Sequence, residues 1–385
     1  MLAVALTDEL WSGVAVVAAP EVERHHALDH SGYALTVFTL PLLLAALLEV
    51  CVSLVAHTVP RRRVLAVALG ALAAALSLCA LAPNPWLLAA GLSLAGAASG
   101  AACAAAEAEL VRRNADTLDR AMARWMVFGG IGDVLAPALV ALMFACGLSY
   151  RVGFMVVLLW VGLQGMSHLC TTSRGDCSLQ EEPEPAVSLL TALRIAAVNG
   201  HLWLWLAGTA LCTLLDELVA ALAALRMERE LGATNAQAAL SLIGYSCGVV
   251  IGAIATERLV TQLGYKRILC VSSIVCMFAL TSTVLAPTAT WAGVSLIAVG
   301  MSAAAHYPLL LSQAYKSAPG SAAFVGALAE VFVLVDLTVP LVVGELGDAF
   351  GLQWALATLL LQPLGVLALV LSVRGQRTLL SSRPE

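Results

Sequence analysis

VLAVALGALAAALSLCALAPNPWLLAAGLSLAGAASGAACAAA, residues 64–106, runs from Arg63 to Glu107 without one charged side chain. Crossing the hydrocarbon core of a bilayer takes about 20 apolar residues. The stretch therefore holds two crossings, broken at "APNPW" (82–86). A second uncharged run, from Arg267 to Lys316, divides in the same way at "APTATW" (286–291). Shorter uncharged runs lie between Arg151 and Arg174, Glu230 and Glu257, and Asp348 and Arg374. The chain is 61% hydrophobic and 12% charged, against about 25% charged in a soluble domain. Mean hydropathy is +0.92. These are the properties of an all-α polytopic membrane protein, in which every backbone polar group is satisfied within its own helix.

Composition also excludes several functions. The net charge of −5 is spread locally, with no basic patch for nucleic acid. Met1 leads straight into an apolar run, without the basic segment and cleavage site of a signal peptide. The ten cysteines lie mostly inside apolar runs without paired metal-ligand spacing, which points to neither a disulfide framework nor a zinc site. In "EVERHHALDH" (21–30), His26 and His30 fall four apart near Glu23, but a solvated amphipathic loop is the better reading than a metal site. No Walker A loop, HExxH motif or Ser-His-Asp order occurs, so neither an enzyme nor a cofactor is expected.

Twelve spans are expected, at roughly 1–19, 33–56, 64–82, 86–109, 121–146, 152–172, 201–225, 236–256, 268–286, 290–313, 322–346 and 351–373. The one long connector, 173–200, has a Pro/Glu-rich middle suited to a linker. It divides the chain into six-helix halves, 1–172 and 201–385, the latter ending in a short tail. With both termini in the cytoplasm, sixteen of the twenty Lys and Arg residues fall on the cytoplasmic side. Only Arg24, Arg151, Arg226 and Arg229 fall outside. This is a strong positive-inside bias. The expected location is the plasma (inner) membrane.

The halves echo one another. "LTDEL" (6–10) returns as "LLDEL" (214–218), "DVLAP" (133–137) as "DLTVP" (336–340), and "AEA" (106–108) as "SQA" (312–314). The three matches hold nearly the same offset, each in the corresponding span, which argues for duplication with parallel topology.

Acids within the spans follow a pattern. Span 1 carries Asp8 and Glu9, span 2 Glu49, span 4 Glu107 and Glu109, and span 5 Asp133. Span 7 carries Asp216 and Glu217, and span 11 Glu330, Asp336 and Glu345, while Gln313 holds the place of Glu107 in span 10. Spans 3, 6, 9 and 12 carry none, so these face lipid and the other eight surround a central aqueous cavity.

The whole chain resembles the major facilitator superfamily of transporters: twelve helices, two parallel six-helix halves and a long middle loop. In that family spans 3, 6, 9 and 12 are the outer supports, matching the census of acids. "GAIATERLVTQLGYKR" (252–267) resembles its loop signature, with Glu257, Arg258, Gly264, Lys266 and Arg267 in the signature places. The resemblance implies that these residues form a cytoplasmic gate. The first-half counterpart, "LVAHTVPRRRVL" (54–65), departs from the pattern at His57 and Pro60. "GGIGDVLAPAL" (129–139) partly resembles the span-5 signature of proton-driven drug exporters, through Gly132, Ala136 and Pro137.

Candidate roles follow. An ionised carboxylate in hydrocarbon is costly and is functional by default. Asp216 and Asp8 are therefore the leading proton-coupling or substrate-binding groups. Glu9 and Glu217 lie about 100° further round their helices, so the two members of each pair face different ways. Asp133 and Asp336 each precede by four residues a proline that frees their own carbonyl, giving a kink, an ion site or both. Glu107 and Glu109 lie beside Arg112 and Arg113, where a salt-bridge cluster is expected and a substrate role for Glu107 stays open. Gly244, Gly248 and Gly252 suit close helix packing. Only seven residues precede Asp8, a rise of about 10 Å, so a start shortened relative to the native protein is expected. The reading is a monomeric secondary transporter, a proton-coupled exporter of a small cationic or amphipathic solute. The alternatives are a proton-symporting uptake permease for a small metabolite and, in another class, a membrane sensor or scaffold.

Overall fold

The computed structural model describes residues 1–28, 34–45, 59–173, 199–318 and 328–373, with positions 32, 47, 48 and 325. Side chains at some helical positions, Asp216, Glu217 and Asp336 among them, lie outside the described set, as do all of Glu49 and the 174–198 connector.

Helix α1 (Leu2–Val17) is followed after Ala18 by the short α2 (Ala19–His26). Residues 34–39 form a π-helical segment within the second expected span. Then come α3 (Arg61–Leu81), α4 (Pro85–Arg113), α5 (Leu118–Ala145) and α6 (Tyr150–Ser173). The second half supplies α7 (Gly200–Arg229), α8 (Asn235–Leu263) and α9 (Tyr265–Val284). It continues with α10 (Ala289–Ala303), α11 (His306–Ser317), α12 (Val333–Phe350), α13 (Leu352–Thr358) and α14 (Leu361–Ser372). Helix falls within each of the twelve stretches marked by the sequence. Among the described residues, eight helices are long and apolar enough to cross a membrane.

The turns follow from local chemistry. At "APNPW" the Asn84 side chain accepts the Leu87 N–H at 2.9 Å, and Pro85 opens α4, where its missing N–H costs nothing. At "APTATW", Thr288 accepts the Trp291 N–H at 3.3 Å and starts α10 in the same manner. Thr234 and Gln237 form a reciprocal capping box on α8. Pro137 and Pro340 lie inside α5 and α12, as the two Asp-x-x-x-Pro motifs require.

Contacts divide the chain into two units, Met1–Asn199 with Tyr315–Val333, and Gly200–Ala314 with Leu334–Glu385. In the first, α1 packs along α5, and α3 lies between α4 and α6. In the second, α8 packs along α10, and α9 meets α10 and α14. Small residues set both main crossings. A methyl on Gly132 of α5 would come within 2.7 Å of the Leu6 carbonyl oxygen, and one on Gly13 of α1 within 2.5 Å of Ala136 Cβ. In α8 a methyl at Gly248 or Gly252 would collide with the carbonyls of Ile297 or Met301, and one at Gly300 with the carbonyl of Tyr245. Lipid tails are as apolar as leucine, so close backbone packing drives helix association. Gly132 and Ala136 of α5 thus form a packing seam for α1. Val67, Leu159, Phe278 and Leu371, on α3, α6, α9 and α14, are exposed. Trp86 and Trp291 are exposed near helix starts, whereas Trp205 is buried edge-on against Tyr265.

Candidate transport site

Three consecutive residues of α1 reach three different helices. Thr7 meets α6, where its hydroxyl accepts the Trp160 indole N–H and lies against Gln164 Oε1, each at 2.9 Å. Asp8 meets α4, where Oδ1 accepts the Ser99 hydroxyl at 2.7 Å; it also accepts the Trp11 indole N–H at 3.4 Å. Glu9 meets α5, its side chain lying over Gly129 and Gly132. The 100° step per residue produces this fan, and the glycines of α5 leave room for it. Asp8 and Glu9 therefore do diverge, as the sequence requires: Asp8 toward α4, Glu9 into the α1–α5 seam.

On α4, Ser99, Cys103 and Glu107 follow at intervals of four and share one face. Cys103 hydrogen-bonds with Asp8 and lies within electrostatic reach of Glu107 and Glu9. Glu107 accepts the Tyr315 hydroxyl at 2.8 Å. Asp8 thus bonds the Cys103 thiol, with Glu107 and Glu9 within electrostatic reach of it. Asp8 receives its hydrogen bonds from neutral donors. Asp133 lies half-buried on α5, one residue beyond Gly132.

Glu109 behaves differently. It is buried and gripped by both neighbouring arginines, with Arg112 Nε 2.8 Å from its carboxylate. The expected salt-bridge cluster is present and rests on Glu109, while Glu107 bonds Tyr315 instead. Nearby, Lys316 pairs with Asp119 and the Asn199 amide donates to the Ser317 carbonyl, so with Tyr315 three bonds hold the end of α11 within the first unit.

In the second unit the α7 and α12 backbones carry Asp216, Glu217 and Asp336, whose side chains lie outside the described residues. Gln313 is buried in α11, its amide donating to Ser312 Oγ at 3.1 Å. Of the loop signature, Glu257 is half-buried near the end of α8, and Arg258 and Arg267 are exposed. Lys266 donates to the Val373 carbonyl at 2.9 Å, closing the carboxyl end of α14. Gly264 is the single residue between α8 and α9, at φ +74, ψ 154. That region is essentially reserved for glycine. Gly264→Ala is therefore expected to cost about 1–3 kcal/mol, read as a lowered thermal midpoint in detergent; an unchanged midpoint would refute it.

Two features escape a search for charge. His306 at the start of α11 is fully buried, with Nε2 3.3 Å from Ser273 Oγ and Nδ1 3.4 Å from Gln362 Nε2. Gln362 Oε1 also accepts the Leu215 N–H at 2.9 Å. This network joins α7, α9, α11 and α14, beside Asp216 in the chain. Its sequence signal is a His and a Gln standing alone in apolar runs, and sorting by acids alone passes over both. Ser99, Cys103 and Tyr315 were missed for the same reason.

A family model described as Major Facilitator Superfamily matches residues 1–335. The fold is similar to that of the E. coli fucose:proton symporter FucP in its outward conformation, with a TM-score of 0.75, 15% identity and 96% of each chain covered. It is also similar to the human organic anion transporter MFSD10, with a TM-score of 0.75, 18% identity, 96% of this chain and 97% of that one. The proton:xylose symporter XylE gives a TM-score of 0.71, 14% identity, 96% of this chain and 93% of that one. No curated protein matches the sequence at a significant level. The apolar spans, the glycine-set crossings, the family match over most of the chain and these shared folds lead to one conclusion: this multi-pass membrane protein belongs to the major facilitator superfamily of transporters.

Proposed function

We propose that the protein is a proton-coupled exporter of a small cationic or amphipathic solute, working by alternating access. The observation that carries this is the acidic face of the first unit. Asp8 is hydrogen-bonded by neutral donors, and Cys103 lies beside it and within reach of Glu9 and Glu107. A cluster of carboxyls at membrane depth attracts a cation and exchanges it for protons. A proton moving inward down 100 mV releases about 2.3 kcal/mol, which adds to any pH gradient and can drive solute outward. Asp216, Glu217, Asp336 and Gln313 are the proposed counterparts in the second half, with Glu49 and Asp133 completing the acids of the cavity. Glu257, Arg258, Gly264, Lys266 and Arg267 are the proposed gating loop. The proposed domains are 1–172 and 201–385, joined by 173–200, in a monomer of the plasma (inner) membrane with both termini cytoplasmic.

The test uses proteoliposomes of known sidedness loaded with ethidium as a monovalent organic cation. Acidifying the outer side is expected to speed ethidium release and to move protons inward in step. Proton-linked entry of solute instead would establish an uptake symporter. A proton flux equal to that of empty liposomes, with solutes of either charge, would overturn the transport proposal.

A further inference from the structure

The short helix α2 does not sit free in solvent as the reading of "EVERHHALDH" expects. His30 of that stretch lies outside the described residues. Val22 is buried, and the remaining contacts form a compact polar clasp against α6. Glu21 Oε2 accepts the Tyr150 N–H at 2.8 Å, filling one of the open donors at the start of α6. His26 Nε2 lies 3.0 Å from the Tyr150 hydroxyl. Arg151 donates to the Ala82 carbonyl at 2.7 Å, in the turn between α3 and α4, and its guanidinium meets His25 Nε2 at 3.0 Å. The rings of His25 and Tyr150 pack edge-on, with centroids 5.9 Å apart.

The Arg151–His25 contact decides the chemistry. A guanidinium only donates, so His25 Nε2 must offer a lone pair, and the bond exists only while His25 is neutral. A proton on Nε2 removes the acceptor and sets two cations 3.0 Å apart. A cavity of about 430 Å³, bordered by Glu21, Arg24, His25, Phe144 and Leu148, opens widely beside His25 and gives water access to it.

We propose that α2 is an acid-released latch, docked on α6 while His25 and His26 are neutral and freed when the medium on its side is acidified. Its release loosens the end of α1, the helix that carries Asp8. Charged and titratable groups bear on the histidines from each packed element. On α2 these are Glu21, Glu23 and Arg24; on α6 they are Tyr150 and Arg151, with Cys79 of α3 near Tyr150. The carbonyl end of α2 and the two glutamates favour cationic histidine weakly, but Glu21 is engaged at the Tyr150 N–H. Burial, His25 and Arg151 together hold the His26 pKa below its ordinary value. The sign follows: undocked His26 takes up a proton more readily than docked His26. Docking is therefore favoured above about pH 6.5 and weakened progressively below it.

Hydrogen exchange of the full-length protein in nanodiscs tests this, following the segment 19–28 at about pH 7.5 and about pH 5 with exchange times scaled for the intrinsic pH effect. Its protection is expected to fall at the lower pH, because docking holds the His26 pKa below its undocked value. The His25→Gln/His26→Gln protein keeps an acceptor for Arg151 without a titrating ring, and its segment should stay protected at both pH values. His25→Lys should lose protection at both. The segment 265–284 serves as a folding reference, and if the double variant fails it, each single glutamine variant provides the same comparison. Equal protection of the wild-type segment at both pH values, an undiminished acid response in the glutamine proteins, or a protected His25→Lys segment would each overturn the latch.

Discussion

The Asp8→Asn protein is expected to fold, reach the membrane and lose the pH dependence of its transport. Asparagine keeps the shape of the side chain, and its amide oxygen can still accept the Ser99 hydroxyl that now lies 2.7 Å from Asp8 Oδ1. What it cannot do is ionise. A charge at mid-membrane is worth about 2.5–3.5 kcal/mol on the insertion scale, and each 1.36 kcal/mol is a factor of ten. Removing the carboxyl should therefore reduce proton-driven transport by about two orders of magnitude while the protein still folds and reaches the membrane. Asp216→Asn, at the repeated "DEL" motif, should have an equal or larger effect. The check is transport in proteoliposomes against an imposed pH gradient. An unaltered pH profile in both variants would show that these acids are structural.

The second large effect is expected at Gly252. A side chain there meets the Met301 carbonyl, and the Gly248 position meets the Ile297 carbonyl in the same seam. Backbone cannot move aside as a side-chain tip does, so Gly252→Leu forces α8 and α10 apart at a cost of about 3 kcal/mol or more. Against a total stability of roughly 5–15 kcal/mol, this should lower the thermal midpoint sharply and reduce the folded yield. Gly244→Ala is the control. Its methyl would meet only the Ile297 side chain, at 3.1 Å, so a small shift should suffice. Equal midpoints for Gly252→Leu and the native protein would refute the packing role.

Much of the architecture was legible before any coordinates. Uncharged runs such as 64–106 mark the spans, because the cost of charge in hydrocarbon is a sum along the chain and needs no knowledge of neighbours. The turns at Asn84 and Thr288 were legible for a related reason: their caps form within three residues. The glycine spacing in α8 announced a close crossing.

The site was legible only in part. Asp8, Glu9 and Glu107 stand out as acids in apolar runs, but Ser99, Cys103 and Tyr315 are neutral, and nothing in their local sequence distinguishes them. His306 and Gln362 are similarly silent. Their partners lie 33 and 147 residues away in the chain, and such pairings depend on which helix faces which.

The sequence by itself determined that this is an all-α membrane protein with long apolar spans, since that is a property summed along one dimension. Tertiary structure decided how the polar groups are used. Thr7, Asp8 and Glu9 serve three different helices because α1 crosses α5 at Gly13 and Gly132, where the missing side chains let the two backbones approach. That crossing turns Asp8 toward Ser99 and Cys103 and settles Glu9 into the glycine seam. In the same way, docking of α2 onto Tyr150 and Arg151 gives His25 the Arg151 guanidinium and His26 the Tyr150 hydroxyl as partners.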